Sequence, residues 1–205
     1  MNKIPIAAID RLRFNLDGNG IRTLVATQGC PLRCKMCINP HTQDAAGKSR
    51  LLSPQELYDE IAIDRLYFAA SGGGLTIGGG EPLLHSKGVA EIAGMLHGEI
   101  ELGIETSLNV PLKNVEDVAG LFDFYYVDIK SMDPEIYRKY TGGQLNRALE
   151  NLKWLLEAEG PEKITVRIPI IKDYADAHSQ EESRKAVEAL GVKKVDLFTY
   201  ILLLN

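Results

Sequence analysis

The sequence has no excess of basic residues. Its 23 Lys and Arg are outnumbered by 28 Asp and Glu, for a net charge of -5, so it lacks the electropositive face by which nucleic-acid binding announces itself. No run is long and apolar enough to cross a bilayer, and residues 201–204 (Ile-Leu-Leu-Leu) are far too few. The opening Met1-Asn2-Lys3-Ile4 has no apolar signal-peptide core. The reading is therefore a cytoplasmic protein with no membrane and no nucleic-acid partner. Low-complexity tracts, blocks of like charge, short internal repeats and an obvious linker are also missing. Cysteine is scarce, with only three, all between positions 30 and 37. An odd, clustered set in a reducing compartment argues against a disulfide framework and towards metal.

What is present reads as one folded domain over residues 1–205. Apolar, β-rich runs recur at 21–26, 74–77, 100–105, 124–129, 164–169 and 194–200. Helical patterns lie between them. Ser53 is the expected N-cap of the first, with Pro54 in the first turn and Glu56 closing a capping box. Leu57 and Ile61 then share a face. Residues 88–97, 146–159 and 180–190 are further helices. The second of these carries Leu149, Leu152, Trp154 and Leu156 on or near one face and stops at Gly160-Pro161. Alternating strand and helix implies α/β architecture with a parallel sheet. Six units suit a partial, open (β/α)6 TIM-like barrel, with its chemistry at the C-terminal ends of the strands.

Cys30, Cys34 and Cys37 follow the first strand in C-x3-C-x2-C spacing. Three thiolates can bind three irons of a cubane 4Fe-4S cluster and leave the fourth iron open for a ligand. The competing reading is structural zinc, which wants four protein ligands; His41, four residues after Cys37, would make the set Cys3His. The second strand runs into Gly78-Gly79-Gly80-Glu81-Pro82, where glycines allow close approach of a ligand to the backbone.

The C-x3-C-x2-C loop together with the Gly79-Gly80-Glu81 strand end resembles the radical S-adenosylmethionine (SAM) superfamily. A narrower resemblance, to its glycyl-radical enzyme activases of the pyruvate formate-lyase type, runs from about Asp17 to Tyr200. It is carried by Asp17-Gly18-Asn19-Gly20-Ile21-Arg22, Gly29-Cys30-Pro31-Leu32-Arg33-Cys34 and Asn39-Pro40-His41-Thr42. Gly72-Gly73-Gly74-Leu75-Thr76, Asp128-Ile129-Lys130 with Met132-Asp133, and Arg167-Ile168-Pro169 add to it. Three places depart from the pattern. Met36 stands where an aromatic residue is usual, and Glu105 where Asp is usual. Thr199-Tyr200-Ile201 stands for Pro-Tyr-His, so a SAM-contacting histidine has no counterpart. The resemblance also implies a C-terminal helix and strand that this chain is expected to lack, leaving Leu197, Tyr200 and Leu202 with less apolar cover.

The resemblance implies the chemistry. An electron from a reduced flavodoxin or ferredoxin passes through the cluster to bound SAM. The 5′-deoxyadenosyl radical so formed takes a hydrogen atom from a glycine Cα of a partner enzyme. Cys30, Cys34 and Cys37 are the expected cluster ligands, and Gly79, Gly80 and Glu81 hold the SAM amino group. Lys130 and Arg167 are partners for its carboxylate or ribose, or else an ion pair at the barrel rim. Asp17, with Arg22 near the mouth, holds the incoming peptide, unless residues 17–20 are only a turn. Glu105, Thr106, Asp128 and the Val127 carbonyl are expected around a sodium or potassium ion. Strand ends ~5 Å apart bring two carboxylates together, and either an ion or Lys130 and Arg167 must offset their repulsion. A small-molecule radical SAM enzyme of the 7-carboxy-7-deazaguanine synthase kind is the alternative within the superfamily. The Asp17 to Arg22 segment speaks against it. The absence of any cysteine beyond Cys37 speaks against activases with a ferredoxin-like insert.

Overall fold

The computed structural model describes residues 2–199. Eight strands form one sheet: β1 (Ile4–Phe14), β2 (Ile21–Thr27), β3 (Arg50–Leu52), β4 (Gly74–Gly79), β5 (Glu101–Thr106), β6 (Phe124–Asp128), β7 (Ile164–Ile170) and β8 (Lys194–Thr199). Their spatial order is β3-β1-β2-β4-β5-β6-β7-β8. From β2 to β8 every neighbouring pair is parallel, so the six expected strands are the six parallel ones. Strands β1 and β3 are additions to the expected plan, and both pair antiparallel at one edge.

Seven α-helices lie in the connections: α1 (Pro54–Ala62), α2 (Arg65–Ser71), α3 (Ser86–Leu96), α4 (Leu112–Glu116), α5 (Pro134–Thr141), α6 (Leu145–Glu159) and α7 (Ala177–Ala189). Helix α1 starts as its sequence dictates. The Ser53 hydroxyl accepts from the Glu56 amide at 3.2 Å, and the Glu56 carboxylate accepts from the Ser53 amide at 2.7 Å. Leu57 and Ile61 are fully buried. Helix α6 is rotated from the expected face: Leu145, Ala148, Leu152 and Leu155 are buried, while Leu149, Trp154 and Leu156 are only partly so. Asn151 explains the rotation. It is buried on the same face, where its amide donates to the Leu108 and Val110 carbonyls, both at 2.8 Å.

Alternate residues of a strand face opposite ways, and here the two faces differ sharply. Val25, Leu75, Ile77, Leu102, Ile104, Val127, Val166 and Ile168 are buried in the apolar layer shared with the helices. The residues between them, including Arg22, Thr76, Glu105, Asp128 and Arg167, turn to the inner, concave side. The fold is thus an open barrel with a greasy outer wall and a polar lumen.

Candidate functional site

A cavity of about 310 Å³ opens at the C-terminal ends of the parallel strands. Cys30, Cys34 and Cys37 line it, from the loop after β2, with Gly79 and Gly80 from the end of β4. Glu105, Thr106 and Asp128 reach it from β5 and β6, and Lys130 and Arg167 complete the far wall. Asp17 enters from the β1–β2 connection. A larger hollow of about 640 Å³ lies at the opposite end of the strands, bordered by Gly73, Gly98 and Asp123. It has no thiol, and the three cysteines are all in the smaller one.

The cysteine loop is fixed by backbone hydrogen bonds. The amides of Gly29 and Cys30 donate to the carbonyls of Thr42 (2.8 Å) and Gln43 (3.2 Å), and those of Arg33 and Lys35 to Thr141 (2.7 Å) and Tyr140 (3.2 Å) at the end of α5. The same loop is tied to the glycine-rich strand end, because the Glu81 amide donates to the Gly29 carbonyl at 2.8 Å and the Gly80 amide to the Thr27 carbonyl at 3.0 Å. Only glycine fits there: a Cβ on Gly80 would stand 2.3 Å from the Gly29 carbonyl oxygen. Two motifs about fifty residues apart are therefore one structural unit.

The thiols are half-buried and free. Burial, and then the nearby Glu81 charge, pushes Cys30 up to about 12. Burial pushes Cys34 up to about 11. Both are protonated at neutral pH until a metal displaces the proton. Among the described residues no three His, Cys, Asp or Glu side chains converge on a single ion position, and His41 is exposed and away from the cavity. A zinc ion would draw all four donors into one shell, whereas a cubane spreads its thiolates over separate irons. Three thiols around one cavity, with no fourth cysteine in the chain and a glycine cradle beside them, fit a cubane with one open iron.

Some expected site residues lie outside the cavity wall. Glu81 does not line the cavity. Its buried carboxylate accepts from the Thr106 hydroxyl (2.7 Å), the Ser107 amide (2.8 Å) and hydroxyl (2.6 Å), and the Leu83 amide (3.2 Å). Its capacity is spent on holding the β4 and β5 ends together. Arg22 is not at the mouth either. It is the second residue of β2, at the far end of the lumen, and is completely buried.

The carboxylates expected around a cation are already paired. Arg167 donates to Asp128 from Nε at 2.8 Å and to Glu105 from Nη1 at 2.9 Å, and Lys130 Nζ stands 3.0 Å from the other Asp128 oxygen. Burial works against the Asp128 charge, but Arg167 and Lys130 outweigh it and hold that carboxyl down to about 2. Burial pushes Glu105 up despite Arg167. The Thr106 hydroxyl is committed to Glu81. Arg167 and Lys130 thus place positive charge against both carboxylates.

Sequence reasoning overlooked Arg13 and Ser107. Arg13 grips the Asp17 carboxylate through Nε and Nη2, the latter at 3.1 Å, and lines the cavity beside it. Its signal was the spacing to Asp17 of four residues, which has meaning only once β1 is recognised. Nothing in the sequence marks Ser107.

The profile of the Radical SAM superfamily matches residues 24–200. A pyruvate formate-lyase-activating enzyme from Clostridium pasteurianum is 34% identical, the match covering 90% of this chain and 77% of that protein. The (2S)-3-sulfopropanediol dehydratase activating enzyme of Klebsiella oxytoca is 31% identical over 86% of this chain and 75% of its own length. In fold, the chain is similar to Streptococcus suis SuiB bound to S-adenosylmethionine, with a TM-score of 0.67 at 14% identity, covering 86% of this chain and 39% of SuiB. The matched span takes in both the cysteine loop and the glycine cradle, and the chain belongs to the radical SAM superfamily, among the activating enzymes of glycyl-radical enzymes.

Proposed function

We propose that this protein installs a glycyl radical on a partner enzyme of the pyruvate formate-lyase type, using a 4Fe-4S cluster, SAM and an electron from a reduced flavodoxin or ferredoxin. The observation that carries the reading is the convergence of Cys30, Cys34 and Cys37, the Gly79–Gly80 backbone, and the Arg167 and Lys130 cations on one cavity open at its mouth. When bound, the cluster supplies one electron and SAM supplies the hydrogen-abstracting group.

The chain's own residues hold and orient. The three thiolates would bind three irons. The Gly79 and Gly80 backbone offers polar groups to the SAM amino end, with no side chain in the way. Lys130 and Arg167 provide positive charge for the SAM carboxylate while keeping Asp128 and Glu105 ionically satisfied. Leu32, Ile38 and Phe198 add apolar lining, which limits water around a reactive species. Asp17, held by Arg13, presents its backbone and carboxylate where a glycine-bearing segment would enter.

Anaerobic reconstitution should load about four irons and four sulfides per chain, as cubane stoichiometry requires. With SAM, reductant and pyruvate formate-lyase, electron paramagnetic resonance should show a glycine-centred doublet. Cys30→Ala, Cys34→Ala and Cys37→Ala should each abolish both signals. A full, SAM-responsive cubane in any one of them removes that residue from the ligand set, and SAM cleavage that never yields a protein radical overturns the partner assignment.

A further inference from the structure

Arg22 carries a full charge in a completely buried position, and a buried charge survives only if its donors are satisfied. All five of its N–H bonds find acceptors. Nε donates to the Thr76 hydroxyl at 2.7 Å. Nη1 donates to the Glu101 carboxylate at 2.6 Å and to the Asn19 carbonyl at 3.5 Å. Nη2 donates to the carbonyls of Leu75 (2.8 Å) and Glu101 (3.0 Å). Its guanidinium carbon stands 4.9 Å from the centre of the Phe124 ring. Burial lowers its pKa, with Glu101 working in the opposite direction.

Thr76 passes this anchorage on. Its hydroxyl accepts from Arg22 and donates to the Asp17 carbonyl at 2.7 Å. The segment 15–20 therefore rests on Arg22 at two points, through Thr76 to Asp17 and directly at Asn19. Gly18 sits flush on the same platform: a Cβ there would come within 2.8 Å of Phe124 Cζ and 2.9 Å of Arg22 Cδ, at a φ of +130°. Asp17 itself is 6% exposed and lines the cavity that holds the three cysteines. Neither Arg22 nor Thr76 lines that cavity.

We infer that Arg22 and Thr76 form a buried bracket that sets the height of residues 15–20 in the lumen, and so fixes Asp17 where the partner's glycine segment enters. They are positioning residues for the protein substrate, with no part in holding SAM. The inference rests on the proposed activase reading. It also gives the Asp-Gly-Asn-Gly-Ile-Arg segment a physical logic. Its last residue supports its first, and its first glycine lets the chain lie on the support.

The test uses the reconstituted full chain with three substitutions. Thr76→Val keeps shape and removes the bridging hydroxyl, Thr76→Ser restores it, and Gly18→Ala pushes the segment off Phe124 and Arg22 while keeping the Thr76 hydroxyl. In Thr76→Val, amide hydrogen exchange within residues 15–20 should quicken about tenfold, the effect of one lost buried hydrogen bond. Dithionite-driven SAM cleavage without partner should stay within about twofold of the parent. Glycyl radical formation on pyruvate formate-lyase should fall about tenfold, through the KM for the lyase. Gly18→Ala should behave like Thr76→Val, and Thr76→Ser like the parent. The inference is overturned by unchanged exchange in Thr76→Val, by loosened exchange with undiminished radical formation, or by a parallel loss of SAM cleavage. If the parent cleaves SAM and yields no radical on the lyase, the partner reading fails separately, and the exchange rates alone decide the bracket.

Discussion

Glu81 separates two ways of using a carboxylate beside a cofactor. If it bound the SAM amino group itself, Glu81→Gln would weaken SAM binding and leave stability intact. The four donors around it give the opposite expectation. Burial pushes its pKa up, while those donors pull against the shift. Glu81→Gln must turn its NH2 towards a fixed N–H and should cost about 2 kcal/mol, and Glu81→Ala, which orphans several donors, about 3 kcal/mol or more. Urea unfolding of the apo proteins measures both. The folded Glu81→Gln protein should keep SAM affinity within about threefold, by calorimetry, and a drop of more than about tenfold with unchanged stability would restore the direct role. Arg167 poses a similar choice. Its two short contacts to Asp128 and Glu105 occupy the groups that a monovalent ion would need. SAM cleavage should therefore persist in buffer stripped of sodium and potassium. Arg167→Met should cleave SAM poorly and recover in part with added potassium, because two facing carboxylates are then left without their cation. Loss of parent activity on ion removal defeats this account. The Arg167–Asp128 contact should also be insensitive to pH changes above about pH 4. Asp128 is depressed from 3.8 to about 2, so its stabilising contribution is complete above about pH 4 and declines only as pH falls towards 2.

The parallel strands were legible because each is a short apolar run closed by a turn signal, and helix α1 because Ser53, Pro54 and Glu56 spell a capping box. Strand β1 was not. Its inner end, Ile4 and Ile6, is core, but beyond Ala8 it alternates with Asp10, Arg11 and Arg13 and is half in solvent. Leu12 even takes a left-handed backbone, with φ of 56°. Such an edge hairpin has no continuous apolar signature, and its partner β2 already read as a parallel strand. Helix α5 was hidden for another reason. Its buried side chains are Tyr137, Tyr140 and Thr141, too few in eight residues to show a period, although Asp133 and Pro134 mark its start. The candidate site divides the same way. The cysteines and glycines were visible because each motif is contiguous. The four-fold acceptance by Glu81 was not, since Thr106 and Ser107 reach it across 25 and 26 residues, and that contact exists only once β4 and β5 are paired.

At the scale of the molecule, an open barrel has two sheet edges. On one side β1 and β3 cap the parallel array. On the other, β8 pairs with β7 alone among the described residues. Unpaired edges invite pairing with another chain unless charge or bulges prevent it. Strand β8 is largely exposed, with Lys194 and Asp196 as charged guards and Leu197 40% exposed between them and Phe198. Tyr200 and Leu202, also expected to lose apolar cover, lie outside the described residues. Phe198 turns to the cavity that holds the cysteines, so this edge and the cofactor site share one strand. Whatever fills the cavity binds the folded state and not the unfolded one, and stabilises it by mass action. The apo protein should therefore associate reversibly through β8. Cluster loading and SAM should raise its melting temperature as they order that edge. Sedimentation velocity over about a hundredfold range of concentration reads the first effect, and calorimetry before and after loading the second. Leu197→Lys adds the charge that natural edges use and should suppress association without lowering iron content. A monodisperse parent protein whose apo form melts as high as the loaded form would show that β8 is neither sticky nor coupled to the site.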